Sequence, residues 1–204
     1  MIRAVSKRLR ITQQTVDMLR PRKRQRTWDL LVRHGRTHKG EEFKPFDYPW
    51  VEGICDAWDD PGIRTVVLKM SARIGKTYTA QAMMVTALEQ DPATAMLACP
   101  DEKLAGEVGQ KYYDIFDRYQ PTRGWTPPQS KRLKKMMELK YLRMYVGWSG
   151  SPSSLADKDP KYKHGAEVSK FTKRSSVEAD SLTLFGQRGK EIPDRKEAYE
   201  GTPT

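Results

Sequence analysis

Apolar residues along this chain change period several times, and each change marks an element. Trp50, Ile54 and Trp58 stand four residues apart, the repeat of one helical face, which predicts a short helix over residues 48–60. Asp60-Pro61-Gly62 breaks it. Residues 64–69 (Arg-Thr-Val-Val-Leu-Lys) are β-branched and apolar and predict a buried strand. Ala80, Met83, Met84, Ala87 and Leu88 then recur with helical spacing, predicting an amphipathic helix over 76–90 that stops at Asp91-Pro92. A second strand follows at 94–99. A second helix follows at 101–119, opened by acidic residues that suit the positive end of a helix. Strand and helix in alternation predict an α/β fold: a parallel sheet with right-handed crossovers, flanked by helices.

The remaining segments carry weaker patterns. Residues 120–130 read as a Pro/Gly/Ser loop, and residues 131–140 are basic with Leu133, Met136, Met137 and Leu139 interspersed. Residues 141–147 predict a third strand and 149–154 a Ser/Gly/Pro loop. Beyond 157 the chain is too charged for its periodicity to assign elements. Residues 27–47 read as an irregular approach segment, and 1–26 as a flexible basic tail with a short helix near 11–20. The domain division is therefore 1–26 and 27–204, and there are no internal repeats.

Composition narrows the class. The 204 residues suffice for one α/β domain, and 37% apolar content is enough for a core. No stretch nears the roughly 20 apolar residues of a membrane span, and the N-terminus lacks the apolar core of a signal peptide. The expectation is a cytosol-like compartment with no membrane partner. Cys55 and Cys99 are far apart and have no His neighbours, so both read as small buried hydrophobes. Residues 1–26 hold nine Lys or Arg and one acid, Asp17, so +8 of the net +11 lies in the tail. A basic tail on a nearly neutral domain points to a polyanion such as nucleic acid, or else to a solvated leader.

The sharpest chemistry is Ser71-Ala72-Arg73-Ile74-Gly75-Lys76-Thr77, which follows one predicted strand and opens a helix. In that context Gly-Lys-Thr reads as a phosphate-gripping loop. Backbone N–H groups of the turn would point at phosphate oxygens, and Gly75 would let the backbone approach. Lys76 would neutralise the β- and γ-phosphates of ATP, and Thr77 would complete the shell of a Mg²⁺ ion. Arg73 lies within the loop as a cis arginine finger or as a solvated arginine. Met70 stands where a full loop of this kind has Gly. Phe46, Tyr48 and Trp50 are candidates to stack an adenine or to pack in the core. Lys131-Arg132-Leu133-Lys134-Lys135 is a candidate contact to DNA phosphate or a solvated face.

The loop, with small residues before a central Arg, resembles the ATPase of phage large terminase subunits of the GpA type found in lambda-like phages. Four further segments agree in order: Pro49-Trp50 through Asp60-Pro61-Gly62-Ile63-Arg64, Ala98-Cys99-Pro100-Asp101-Glu102-Lys103-Leu104-Ala105, Gly150-Ser151-Pro152-Ser153-Ser154-Leu155-Ala156 and Gly201-Thr202-Pro203-Thr204. The resemblance runs from about residue 27 to the end. It implies a RecA/ASCE-like P-loop NTPase fold and ATP-driven packaging of double-stranded DNA into procapsids, with DNA held through phosphate contacts. It further implies a homo-oligomeric ring, a small terminase subunit and a portal as partners, and the host cytoplasm as the place of assembly. The family's C-terminal nuclease domain is not expected in this chain.

In the family, four apolar residues and Asp-Glu should come next, and that register falls on Lys163-His164-Gly165-Ala166-Glu167. Glu167 keeps the place of the water-activating glutamate. Ala166 replaces the metal-binding aspartate, and Ser169 replaces another common acid. Asp157 and Asp159 could stand in, although neither follows a strand. A strand buried on both faces should not hold Lys163 and His164 unpaired, and Glu197-Ala198-Tyr199-Glu200-Gly201 is equally unlike the apolar strand expected before Thr202. The second half of the sheet is therefore expected to be eroded. Three functions follow: a DNA-packaging ATPase, a catalytically inactive terminase-derived protein that binds DNA or subunits, and another P-loop enzyme such as a helicase.

Overall fold

The computed structural model describes residues 24–203 apart from His38, Leu133 and residues 173–179. The expected helix near 11–20 lies outside the described residues. The helices are α1 (Thr27–His34), α2 (Trp50–Asp59), α3 (Lys76–Gln90), α4 (Glu102–Arg118), α5 (Pro152–Leu155) and α6 (Ser181–Gln187). The strands are β1 (Thr65–Lys69), β2 (Ala95–Cys99), β3 (Met136–Glu138), β4 (Arg143–Trp148), β5 (Tyr162–Gly165) and β6 (Lys196–Gly201). They form one sheet in the order β1-β6-β5-β2-β4-β3. Every neighbouring pair is parallel except β3 with β4.

Alternation along β2 divides the core. Ala95, Leu97 and Cys99 face a large cluster built with α2, α3 and α4, whereas Met96 and Ala98 face a smaller one with Leu155, Phe171 and Phe185. Cover on both faces explains why β2 is buried throughout. In β1, by contrast, only Val66 and Leu68 are buried, and Val67 is 65% exposed. The expectation of a fully buried first strand is corrected: β1 is the sheet's edge, bonded to β6 alone.

Helix α3 keeps the predicted bounds but is not amphipathic. Residues 79–88 are all buried, because α1, α2, α4 and the sheet enclose it. Its polar groups find local partners: Thr86 Oγ1 donates to the Ala82 carbonyl at 2.9 Å and Gln81 Nε2 to that of Val108 at 3.3 Å. In α2 the buried face is Val51, Cys55 and Trp58, and Trp50 is 41% exposed, so the helix is rotated from the predicted stripe. Helix α4 starts as expected, with the Asp101 carboxylate accepting from Leu104 N at 2.8 Å.

Three segments are more ordered than their sequence implies. Residues 27–34 form α1, fixed by Thr27, whose backbone N–H and hydroxyl both donate to Asp59 at 2.6 Å. The basic run contributes β3, and the Ser/Gly/Pro loop contributes α5. Cys55 and Cys99 are buried and free.

The largest departure lies in β5 and β6. Both strands form in the interior of the sheet, so the expected erosion is corrected. Lys163 and His164 are fully buried yet paired. Lys163 lies opposite Glu197, with Nζ 3.0 Å from the carboxylate. Its ammonium also donates to the carbonyls of Phe185, Gly186 and Arg188, at the C-terminal end of α6, at 2.8–3.1 Å. Burial lowers the Lys163 pKa, against the opposing pull of Glu197. Glu197 is served in addition by Arg195 and the Tyr199 hydroxyl, each at 3.0 Å.

Replacing Glu197 by Ala leaves a buried ammonium without its anion and should cost about 3–5 kcal/mol. Adding Lys163→Met should recover part of that loss. Urea denaturation of the two single variants and the double variant measures the coupling, and additivity would contradict the pairing.

Candidate functional site

The loop 71–77 leaves the C-terminal end of β1 and enters α3. Gly75 caps α3 with φ 82°, and a Cβ there would come within 3.1 Å of the Tyr48 ring, so both backbone and space require glycine. Arg73 also has positive φ, 67°, and its side chain is exposed. Ser71 and Ala72 are exposed, and Ile74 is half-buried. Lys76 is buried at the first turn of α3.

Two other segments meet this loop. Glu167 follows β5 in a left-handed conformation (φ 49°, ψ 46°), and Thr202 follows β6. Lys76 Nζ lies 3.0 Å from Glu167 Oε1 and donates to Thr202 Oγ1 at 3.0 Å. The Thr202 hydroxyl in turn faces both Glu167 oxygens at 3.1 and 3.2 Å. Partial burial raises the Glu167 pKa, but the hydrogen bond and charge of Lys76, with the Thr202 hydroxyl and the Lys170 charge, together outweigh it, and the carboxyl sits below its ordinary 4.5.

A second network lies deeper. Thr77 Oγ1 donates to Glu200 Oε2 at 2.7 Å. Glu200 Oε1 is 3.2 Å from His164 Nε2, and His164 Nδ1 is 2.8 Å from the Tyr112 hydroxyl. With Nε2 as the donor and Nδ1 as the acceptor, every donor meets an acceptor: Tyr112 to Nδ1, Nε2 to Glu200, Thr77 to Glu200. Burial, then the Glu200 charge, raises the Tyr112 pKa and keeps that hydroxyl a donor. Asp157 and Asp159, the expected substitutes for the missing aspartate, are exposed on the stretch before β5 and take no part. Among the described residues no three His, Cys, Asp or Glu gather as a metal cage. A Mg²⁺ held mainly by phosphates and water needs none.

Beside Gly75 lies a cavity of about 660 Å³ lined by Phe43, Lys44, Tyr48 and Tyr78 among others. Phe43 stacks on Tyr48 with centroids 5.9 Å apart and packs against Tyr78 at 5.8 Å. Of the three aromatics expected to meet a base, only Tyr48 lines this cavity. Phe46 is 97% exposed and Trp50 packs its ring edge-on against Tyr48 instead. Sequence reasoning missed Phe43 and Tyr78. In the basic run, Arg132 is turned inward onto Asp117 (2.5 Å) and the Tyr113 ring. Lys131 and Lys134 remain exposed, and Leu133 lies outside the described residues.

Residues 38–204 match the family model of the phage terminase large subunit gpA, ATPase domain. The chain belongs to this terminase ATPase family. Similar solved folds agree. The HK97 bacteriophage large terminase matches with a TM-score of 0.69 at 10% identity, over 86% of this chain and 37% of that one. The Thermus phage P74-26 large terminase ATPase domain matches at 0.53 and 11% identity, over 97% and 71%. A mutant of that domain matches at 0.52 and 14% identity, over 69% and 60%. This chain thus spans about a third of the HK97 protein. A search of the curated proteins found no match. No described helix is long and apolar enough to cross a membrane.

The Lys76–Glu167 pair makes a pH prediction. A carboxyl held below 4.5 in the folded protein contributes stability that is present above 4.5 and is lost as pH falls through its folded value. Stability of the parent chain minus that of Glu167→Gln, measured by urea denaturation, should be constant above pH 5 and shrink below it. A difference that persists unchanged to pH 3 would contradict the pairing.

Proposed function

We propose that the chain is the ATP-hydrolysing domain of a phage large terminase subunit, which drives double-stranded DNA into procapsids. The observation that carries this reading is the convergence of three separated segments, Lys76-Thr77, Glu167 and Thr202, at the first turn of α3. The donor set fits Mg²⁺ and a nucleoside triphosphate: a buried ammonium, a hydroxyl at a helix N-terminus, and a carboxylate on the far side. Lys76 would hold the β- and γ-phosphates, and residues 71–77 would cradle them through backbone N–H groups. Thr77 would be the protein's oxygen in the Mg²⁺ shell, and the ion when bound supplies charge neutralisation across the phosphates. Phosphate oxygens would compete with Glu167 for Lys76, freeing that carboxylate to orient the attacking water. Thr202, bonded to both, would sense the exchange. Arg73, exposed in the loop, would stabilise the transferring phosphate in cis, and the cavity beside Tyr48 would hold the base.

The same reading supplies the partners. DNA would be held through phosphate contacts from exposed lysines such as Lys131 and Lys134 and from the basic segment 1–26, without base readout and with steep salt dependence. A homo-oligomeric ring acting with a small terminase subunit and a portal, in the host cytoplasm, follows from the family's mode of action.

Ala166 favours a second reading, a terminase-derived protein that binds nucleotide, DNA or subunits without turnover. Steady-state ATPase assays with and without DNA separate the two. The motor reading expects DNA-stimulated hydrolysis, a loss of at least about 10²-fold in Lys76→Ala and of about 10³-fold in Arg73→Ala. Nucleotide binding without hydrolysis would establish the second reading.

A further inference from the structure

Glu200 is placed unlike any acid the family pattern predicts. It sits on β6, next to Leu68 of β1, on the sheet face that α3 covers. It is 1% exposed, and among the described residues no Lys or Arg pairs with it; His164 is its basic neighbour. One of its oxygens already accepts from the Thr77 hydroxyl at 2.7 Å. The acid beside the loop Ser or Thr is what holds Mg²⁺ in related nucleotide sites, and at position 166, one strand over, that acid is missing.

We propose that Glu200 is the metal-side acid of this chain: from β6 it orients Thr77 and anchors Mg²⁺, the work an aspartate after β5 would otherwise do. His164 and Tyr112 fix its carboxylate as outer partners fix metal ligands elsewhere. Ala166 follows β5, and His164 within that strand meets Glu200 on the neighbouring strand β6 at 3.2 Å. Glu167 then has no metal to hold and can turn to water once phosphate draws Lys76 away. This inference rests on the nucleotide-binding reading above.

The test is the Mg²⁺ dependence of nucleotide binding, read by titrating a fluorescent ATP analogue into the full chain over a range of Mg²⁺ concentrations. Glu200→Gln keeps the shape and the acceptor for Thr77 but removes the charge. It should leave binding in EDTA as in the parent, or slightly tighter, and raise the Mg²⁺ concentration at half-effect by about 10–100-fold. An unchanged Mg²⁺ midpoint in a variant with the parent's melting temperature would overturn the proposal. If Glu200→Gln does not fold, Glu200→Asp, which retracts the carboxylate by one methylene, should shift the midpoint in the same direction, and an unmoved midpoint again overturns it. A parent chain that binds no analogue at any Mg²⁺ concentration, like its Lys76→Ala control, would instead sink the nucleotide reading itself.

Discussion

The middle of this sheet depends on ionisable side chains that pair across β5 and β6. Parallel strands buried on both faces are ordinarily apolar. Here β5 carries a lysine and a histidine, and β6 two glutamates, all withdrawn from water. Pairing between the strands makes that burial tolerable. It is also what positions the site, because β1 bonds only to β6 and β6 reaches the rest of the sheet through β5. Were β5 and β6 to separate, loop 71–77 would keep Thr202, which follows β6, and lose Glu167, which follows β5.

The two faces of the strand pair are specialised. On the face of the smaller cluster, Lys163 and Glu197 join the end of α6 to the sheet, a structural contact remote from Lys76. On the face under α3, His164 and Glu200 link Tyr112 of α4 to Thr77 at the start of α3. One strand register thus fixes both a packing contact and a polar line that ends at Thr77 in loop 71–77. The outer network, Lys76 with Glu167 and Thr202, is closer to solvent and is held by contacts that a phosphate would contest. In the proposed reading, Glu200 would be the fixed inner acid and Glu167 the outer one that changes partner when nucleotide binds.

The first half of the fold was legible because its elements are apolar with clear periods: β1, α3, β2 and α4 lie within a residue or two of their predicted bounds. The turn that opens α3 was legible from Gly75-Lys76-Thr77 in that setting, and the family from the order of five short segments. The second half was not, because each strand was judged alone. Lys163 and His164 look misplaced until Glu197 and Glu200, more than thirty residues on, are set beside them. The readable signal was two charged strands of opposite sign. Phe43 and Tyr78 escaped because neither belongs to a motif, and only the fold brings them to Tyr48. In α2 the periodicity was right and its phase was not, since Val51 and Cys55, smaller than Trp50, turned out to be the buried pair.

The central claim is that the acid serving Thr77 comes from β6. A crystal structure of the chain with Mg²⁺ and a non-hydrolysable ATP analogue tests it most directly. The account predicts β6 in place between β1 and β5, Glu200 still held by His164 and facing both Thr77 and the metal's shell, and Glu167 released from Lys76 toward the γ-phosphate. Glu167 on the metal, with Glu200 turned away from Thr77, would contradict it.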